Sequence, residues 1–186
     1  YNSSEKGDQY LSVTVGGKPY SIAQLRESFY RPDLIKVALS GGSLKGFRKM
    51  ADIKQPPAVE IVDTPKSIDK DEMVVTLKIT DAGGGIGDIR LYLNGSAIVL
   101  DTARGVKVVG KDDNTLYKTY TVKLINGLNT IKAIAFNADN TMNSAEVLHG
   151  ITASFKTLAK PSLYALVIGI NEYKNPKLQL NYAVAD

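Results

Sequence analysis

The hydrophobic positions divide the chain into three zones with different periods. In the first, residues 1–55, the pattern is short and mixed. Leu11, Val13 and Val15 alternate with Ser12 and Thr14, the period of a strand, and Gly16-Gly17 turns the chain after it. Ser21 is placed to cap a helix running through Leu25, Phe29 and Tyr30. Pro32 disfavours helical geometry at Arg31 and opens a second helix with Leu34, Ile35, Val37 and Ala38 on its apolar side. Gly41-Gly42 ends that helix, and Ser43 starts a third, short one through Phe47 and Met50. Pro56-Pro57 marks a linker.

The second zone, residues 56–158, reads as all-β. Val59 and Ile61 form a first strand before Pro65. Val75, Leu77 and Ile79 alternate with Thr76, Lys78 and Thr80; Ile89, Leu91 and Leu93 alternate with Arg90, Tyr92 and Asn94. Asn94-Gly95 is a strong hairpin signal, with Ile98 to Leu100 as the return strand. Tyr120, Val122 and Leu124 make the next strand, Asn126-Gly127 a second turn of the same kind, then come Ile131, Ala133 and Ala135, and last Val147 to Phe155. About seven short strands separated by turns predict a mainly β fold, an immunoglobulin-like or fibronectin-type sandwich. Leu124-Ile-Asn-Gly-Leu-Asn-Thr-Ile-Lys-Ala-Ile-Ala-Phe-Asn-Ala-Asp139 resembles the penultimate hairpin of many bacterial Ig-like domains. Ile134 and Phe136 lie on the side of their strand opposite Ile131, Ala133 and Ala135, so that strand is apolar on both sides. The helices of the first zone, or a neighbouring domain, are expected to pack on its outer face.

The third zone, residues 159–186, begins with the continuous apolar run Leu163–Ile170, which fits a buried parallel strand. A polar loop, Asn171–Lys177, and a helix start through Leu178, Leu180, Ala183 and Val184 follow, the opening of an α/β domain. Ala165-Leu-Val-Ile-Gly-Ile-Asn-Glu-Tyr173 with Leu178-Gln-Leu-Asn-Tyr-Ala-Val-Ala-Asp186 resembles the start of a bacterial caspase-like or metacaspase-like peptidase domain. Phe29–Leu39 is similar to a segment between a propeller of WD-type repeats and the caspase-like domain in some large bacterial proteins.

That resemblance implies a Cys thiolate that attacks the scissile carbonyl and a His that handles protons, both beyond residue 186. It also implies that Asp186 lines a pocket for a basic residue, although Ala183 stands where the metacaspase pattern often has Cys. Neither end of the sequence carries a start, leader or capping signal, so the chain is expected to be a segment of a longer protein.

Composition narrows the chemistry. With no Cys and one His, His149, the chain has no disulfide, no Cys-ligated zinc, no thiol nucleophile and no multi-His metal site. No catalytic residue within the chain is therefore expected. The net charge of +4 is too weak by itself to argue for nucleic acid. No apolar run reaches the roughly 20 residues of a membrane span.

Asp81-Ala-Gly-Gly-Gly-Ile-Gly-Asp88 superficially suits a phosphate, but it has no Lys and leads into a strand rather than a helix, so it reads as an inter-strand turn. Asp112-Asp113-Asn114 and Asp139–Asn143 carry oxygen ligands without calcium-loop spacing and read as turns. His149 reads as a strand residue. No cofactor or metal is expected, and the compartment is left open.

The main functional expectation is a non-catalytic linker and Ig-like module of a caspase-like cysteine peptidase, positioning the protease or binding a protein partner. The alternative is an Ig-like adhesion or ligand-binding module with no peptidase role. Leu166, Val167, Ile168 and Ile170 would each forgo roughly 1.5–3 kcal/mol if left in water. Leu163–Ile170 is therefore expected to join a sheet edge, a groove or another copy.

Overall fold

The computed structural model describes residues 1–4, 6–101, 114–156, 165–166, 168 and 174–175, and the chain packs as two units, Tyr1–Phe155 and Lys156–Asp186. In the first unit, strands β1 (Ser12–Val15) and β2 (Lys18–Ser21) pair antiparallel across Gly16 and Gly17, both at positive φ. Ser21 then caps as expected: its Oγ accepts from the Ala23 amide at 3.3 Å, and its own amide donates to Gln24 Oε1 at 3.2 Å. The first turn it caps is a 3-10 turn, Ile22–Leu25, and only then does α1 (Arg26–Phe29) form. Helix α2 (Pro32–Leu39) follows. The third helix expected from Ser43 is absent: Gly46 adopts φ 93°, outside helical space, and only a turn and the 3-10 segment Met50–Asp52 appear.

The sandwich comprises β3 (Ala58–Val62), β4 (Ser67–Ile68), β5 (Glu72–Thr80), β6 (Ile89–Leu93), β7 (Ser96–Asp101), β8 (Thr115–Lys123), β9 (Gly127–Ala135) and β10 (Val147–Ala153). One sheet has the order β3-β5-β8, the other β4-β10-β9-β6-β7. All pairings are antiparallel except β4 with β10. The first strand thus changes sheets across the Pro65 region, and consecutive strands divide between two layers as in Ig-like and fibronectin-type sandwiches.

Period-two alternation fills the space between the sheets. Met73, Val75, Leu77 and Ile79 point inward from β5 and meet Ile89, Leu91, Ile131 and Ile151 of the facing sheet in one buried cluster. Asp101 closes one edge: its Oδ2 accepts from the Tyr120 hydroxyl at 2.9 Å and from Lys118 Nζ at 3.1 Å, joining β7 of one sheet to β8 of the other. Burial, then the hydrogen bond to Asp101, pushes the Tyr120 phenol well above its usual range.

Two turns illustrate how sequence and structure meet. Asn94 and Gly95, both at positive φ, close the β6–β7 hairpin as expected. Asn126-Gly127 closes no hairpin: β8 and β9 lie in different sheets, so residues 124–139 form a corner followed by a strand. The fully buried Asn129 holds that corner. Its Oδ1 accepts from the Ile125 amide at 3.0 Å, and its Nδ2 donates to the Ile125 and Gly127 carbonyls at 2.8 and 3.0 Å.

The outer face of β9 is covered, and the first zone does the covering. Ile134 and Phe136 are buried. Arg90, opposite Ile134 in the ladder, lays its guanidinium 4.4 Å from the centre of the Phe136 ring and pairs with Glu27 of α1. Met142, just beyond β9, joins Val15, Ile22, Leu25, Phe29 and Ile53 in a second, smaller core. Two hydrogen bonds fix the contact: the Asn143 amide donates to the Gln24 carbonyl at 3.0 Å, and the Gln24 side-chain Nε2 donates to the Asn143 carbonyl at 2.8 Å.

In the second unit, the described residues of the apolar run are Ala165, Leu166 and Ile168. They lie outside any strand and are exposed, Leu166 at 86% and Ile168 at 73%. The pairing expected of the rest of that run falls outside the described residues.

Candidate functional site

The site grows from the start of α2. Pro32 occupies the first helical turn, where its fixed φ and missing amide cost nothing. Asp33, next in line, takes the Arg31 guanidinium in a fork, with Nε to Oδ1 at 2.9 Å and Nη2 to Oδ2 at 2.5 Å. Those hydrogen bonds hold the Asp33 carboxyl down at about 2 and raise Arg31. At the other end Gly41 takes φ 76°, and the Gly42 amide bonds the Val37 carbonyl at 2.9 Å.

Beyond that cap, residues 44–50 line the same cavity as the helix. It measures about 960 Å³. It is lined by Phe29, which is buried in the smaller core, by Leu34 and Ile35 of the helix, and by Leu44, Phe47 and Met50 of the segment that follows. These apolar groups remain in water: Ile35 is 36% exposed, Leu44 44%, Phe47 43% and Met50 40%. From residue 31 to residue 52 only Leu34 escapes the exposed class, and no residue of α2 is buried. A helix this short draws its stability from packing an apolar face, and no residue of this one is buried.

The charge is equally lopsided. Residues 31–50 hold Arg31, Lys36, Lys45, Arg48 and Lys49 against the single acid Asp33, while the other 166 residues carry 18 basic and 18 acidic side chains. The whole net charge of +4 therefore sits on this segment. Arg31 is taken up by Asp33, and its guanidinium lies 5.6 Å from the centre of the Phe47 ring. Among the described residues, Lys36, Lys45, Arg48 and Lys49 form no ion pair with a carboxylate. A neighbouring cleft of about 280 Å³ shares Phe29, Arg48 and Lys49 with the groove and adds Asp52 and Asp139.

A polar knot anchors the support beneath. Asp8, buried, accepts from the Ser3 hydroxyl, from Arg26 Nη1 at 2.6 Å and from the Tyr1 hydroxyl at 3.1 Å. The Ser3 hydrogen bond first, then the Arg26 and Tyr1 ones, holds its carboxyl below the usual range. Burial, then Asp8, pushes the Tyr1 phenol up to about 12. Arg26 completes the knot with its guanidinium 4.4 Å from the Tyr30 ring centre. Every member is engaged with another, which suits a fixed support rather than proton transfer.

The residues singled out from the sequence lie apart from this groove. Asp186, Asp112 and Asp113 are outside the described residues. In the 81–88 turn the Gly83 and Gly85 amides point at Asp81 Oδ1, at 2.8 and 2.7 Å, so they are not available to a phosphate. In 139–143, the Thr141 and Met142 amides donate to Asn137 Oδ1 at 2.8 and 3.2 Å, the turn chemistry expected. His149 Nε2 sits 3.0 Å from the Pro65 carbonyl, on the strand where it was expected. Among the described residues there is no group of three or more His, Asp or Glu side chains able to share a metal ion, and no helix long and apolar enough to cross a membrane. The groove was missed because a cluster of cations around apolar residues reads as an ordinary amphipathic helix. The signal that exposes it is the concentration of the whole net charge in one segment.

No family model matches the chain, and no curated protein matches it. The caspase-like resemblance of residues 165–186 gains no support from these comparisons. Among solved structures the chain is similar to the fibronectin(III)-like modules of Clostridium thermocellum CbhA, with 16% identity, 53% of this chain and 99% of that one covered, and a TM-score of 0.40. It is also similar to the SrpA adhesin of Streptococcus sanguinis, with 17% identity, 70% and 73% coverage and a TM-score of 0.41. A third likeness is to a CARDB domain from Pyrococcus furiosus determined with di-metal ions, with 13% identity, 54% and 93% coverage and a TM-score of 0.37.

Proposed function

We propose that this chain is an Ig-like interaction module that holds a protein partner in the groove between α2 and residues 44–50, with the sandwich as its rigid support. The observation that carries this reading is the 31–52 segment, where apolar side chains surround a cavity yet only Leu34 is sheltered from water. The two cores and the Arg90–Glu27 contact support it further, because they hold α1, and with it the lining residue Phe29, on the sandwich. Crosslinking tests it. With a lysine-reactive reagent and proteins from the chain's own source, crosslinks to a bound protein fall on Lys45 and Lys49. Crosslinks confined to sandwich lysines such as Lys78, Lys118 and Lys132 overturn it.

A second reading places this module next to a caspase-like peptidase domain. What supports it is the resemblance of residues 165–186, in which Asp186 would line the pocket for a basic residue. The nucleophile would then be supplied beyond residue 186, since this chain has no Cys. Reading the continuation of the polypeptide tests it: a downstream His and Cys pair supports this neighbour, and a continuation without a thiol removes it.

A further inference from the structure

We infer that the occupant of the groove is an acidic amphipathic peptide segment of a partner protein, its apolar side chains set against Leu34, Ile35 and Phe47 and its carboxylates against Lys45, Arg48 and Lys49. The inference rests on the reading of the groove as a protein-binding site and adds the chemistry of the partner.

Charge complementarity selects this occupant. Residues 31–50 carry a net charge of +4, and Lys45, Arg48 and Lys49 line the groove without an ion pair among the described residues, Asp52 and Asp139 lining only the adjoining cleft. A ligand without negative charge leaves those cations unmatched, and a ligand without apolar groups leaves Ile35, Leu44, Phe47 and Met50 wet. A segment with apolar residues at helical spacing and Glu or Asp between them satisfies both.

The same features disfavour the other anionic partners. A bilayer is flat, whereas these apolar side chains line a concavity, a poorer match to its surface than to a peptide segment. A nucleic acid strand brings anions and flat bases, and although Tyr1 and Phe47 also line the groove, Leu34, Ile35, Leu44 and Met50 are aliphatic or thioether groups with no face to stack on. A second copy docking the same face brings like charges together.

The probe that tests this is a fluorescent synthetic peptide of Leu and Glu, with Leu at helical i, i+3 and i+4 spacing, followed by polarisation. It binds the chain, and raising the salt weakens it. A Leu/Lys peptide of the same pattern does not bind, and a Ser/Glu peptide binds at least about tenfold more weakly, roughly the 1.4 kcal/mol of one unit in log affinity. The triple change Lys45→Glu, Arg48→Glu and Lys49→Glu lowers affinity by at least tenfold, while the thermal melt is retained because all three side chains lie outside both cores. If that variant loses its cooperative melt, the pair Lys45→Gln with Arg48→Gln, which removes charge and adds none, is read instead.

No binding of the Leu/Glu peptide, equal binding of the Leu/Lys peptide, or unchanged affinity in the charge variants overturns the inference. So does displacement of the peptide by phosphatidylglycerol vesicles or by single-stranded DNA at lower concentration than by unlabelled peptide. Crosslinks at Lys45 and Lys49 without Leu/Glu binding remove only the partner chemistry. Crosslinks elsewhere remove the groove reading beneath it.

Discussion

Arg90 and Glu27, 63 residues apart, meet in a two-pronged ion pair with Nη1 to Oε1 at 2.5 Å and Nη2 to Oε2 at 2.9 Å. The pair ties α1 to strand β6 over the face of Phe136. Glu27 is half exposed, so the pair by itself is worth about 0.2–1 kcal/mol. Arg90 also covers the aromatic ring, which adds about 0.5–2 kcal/mol. Arg90→Ala is therefore expected to cost about 1–3 kcal/mol and Glu27→Ala no more than about 1 kcal/mol, both read from urea melts. Equal costs for the two would show that the ring contact contributes nothing.

The smaller core is expected to report on the attachment of the N-terminal segment. Leu25 is fully buried and Leu39, in α2, is 83% exposed. Leu25→Ala should cost about 2–5 kcal/mol. Leu39→Ala should stay within about 0.5 kcal/mol. Thermal denaturation of both variants measures the contrast, and a large loss for Leu39→Ala would mean that α2 packs on something in the isolated chain.

The turn at residues 81–88 leaves no room for a side chain at two of its glycines. A Cβ at Gly84 would lie 1.9 Å from the Gln55 carbonyl oxygen, and one at Gly87 would lie 2.2 Å from that of Asn137. Each Gly→Ala change there forces backbone apart and should cost about 1–3 kcal/mol or more. Gly150, in β10, faces open space without positive φ, so Gly150→Ala should stabilise by about 0.4–1 kcal/mol. Differential scanning calorimetry of the three variants settles the order.

Stability should fall at both extremes of pH. Asp8 and Asp33 are held below the ordinary carboxylate value of 3.8, so what they contribute is present above that value and is lost as the pH drops through their folded values, about 2 for Asp33. Asp8→Asn should flatten the acid limb of a melting-temperature profile. On the alkaline side Tyr1 and Tyr120 are raised above 10, so their contribution is present below pH 10 and is lost as the pH climbs through their folded values. Near-UV titration should find Tyr120→Phe missing a late-ionising phenol.

Much of the sandwich was legible because strict alternation leaves a β-strand only one way to hide its apolar side, as Val75, Leu77 and Ile79 show. Ser67–Ile68 was not, since two residues carry no period. The corner at Asn126-Gly127 looked like a hairpin because the same dipeptide closes one at Asn94-Gly95. What separates them is where the next strand pairs, a long-range matter that local residues do not record. The covering of Ile134 and Phe136 could be expected from a strand apolar on both sides, whereas Arg90 as its instrument could not. The groove was illegible for a related reason: Ile35, Leu44 and Phe47 look like core residues until the fold gives them no core.

The crossing of the first sandwich strand from one layer to the other has a mechanical consequence. β3 runs against β5 in one layer, and five residues later β4 runs alongside β10 in the other, in the same direction. Tension between the start of β4 and the end of β10 therefore loads their hydrogen bonds side by side, in shear, instead of opening them one after another. That short parallel contact is held by the Lys66 and Ile68 carbonyls, which accept from the Thr152 and Ser154 amides at 2.9 and 2.8 Å.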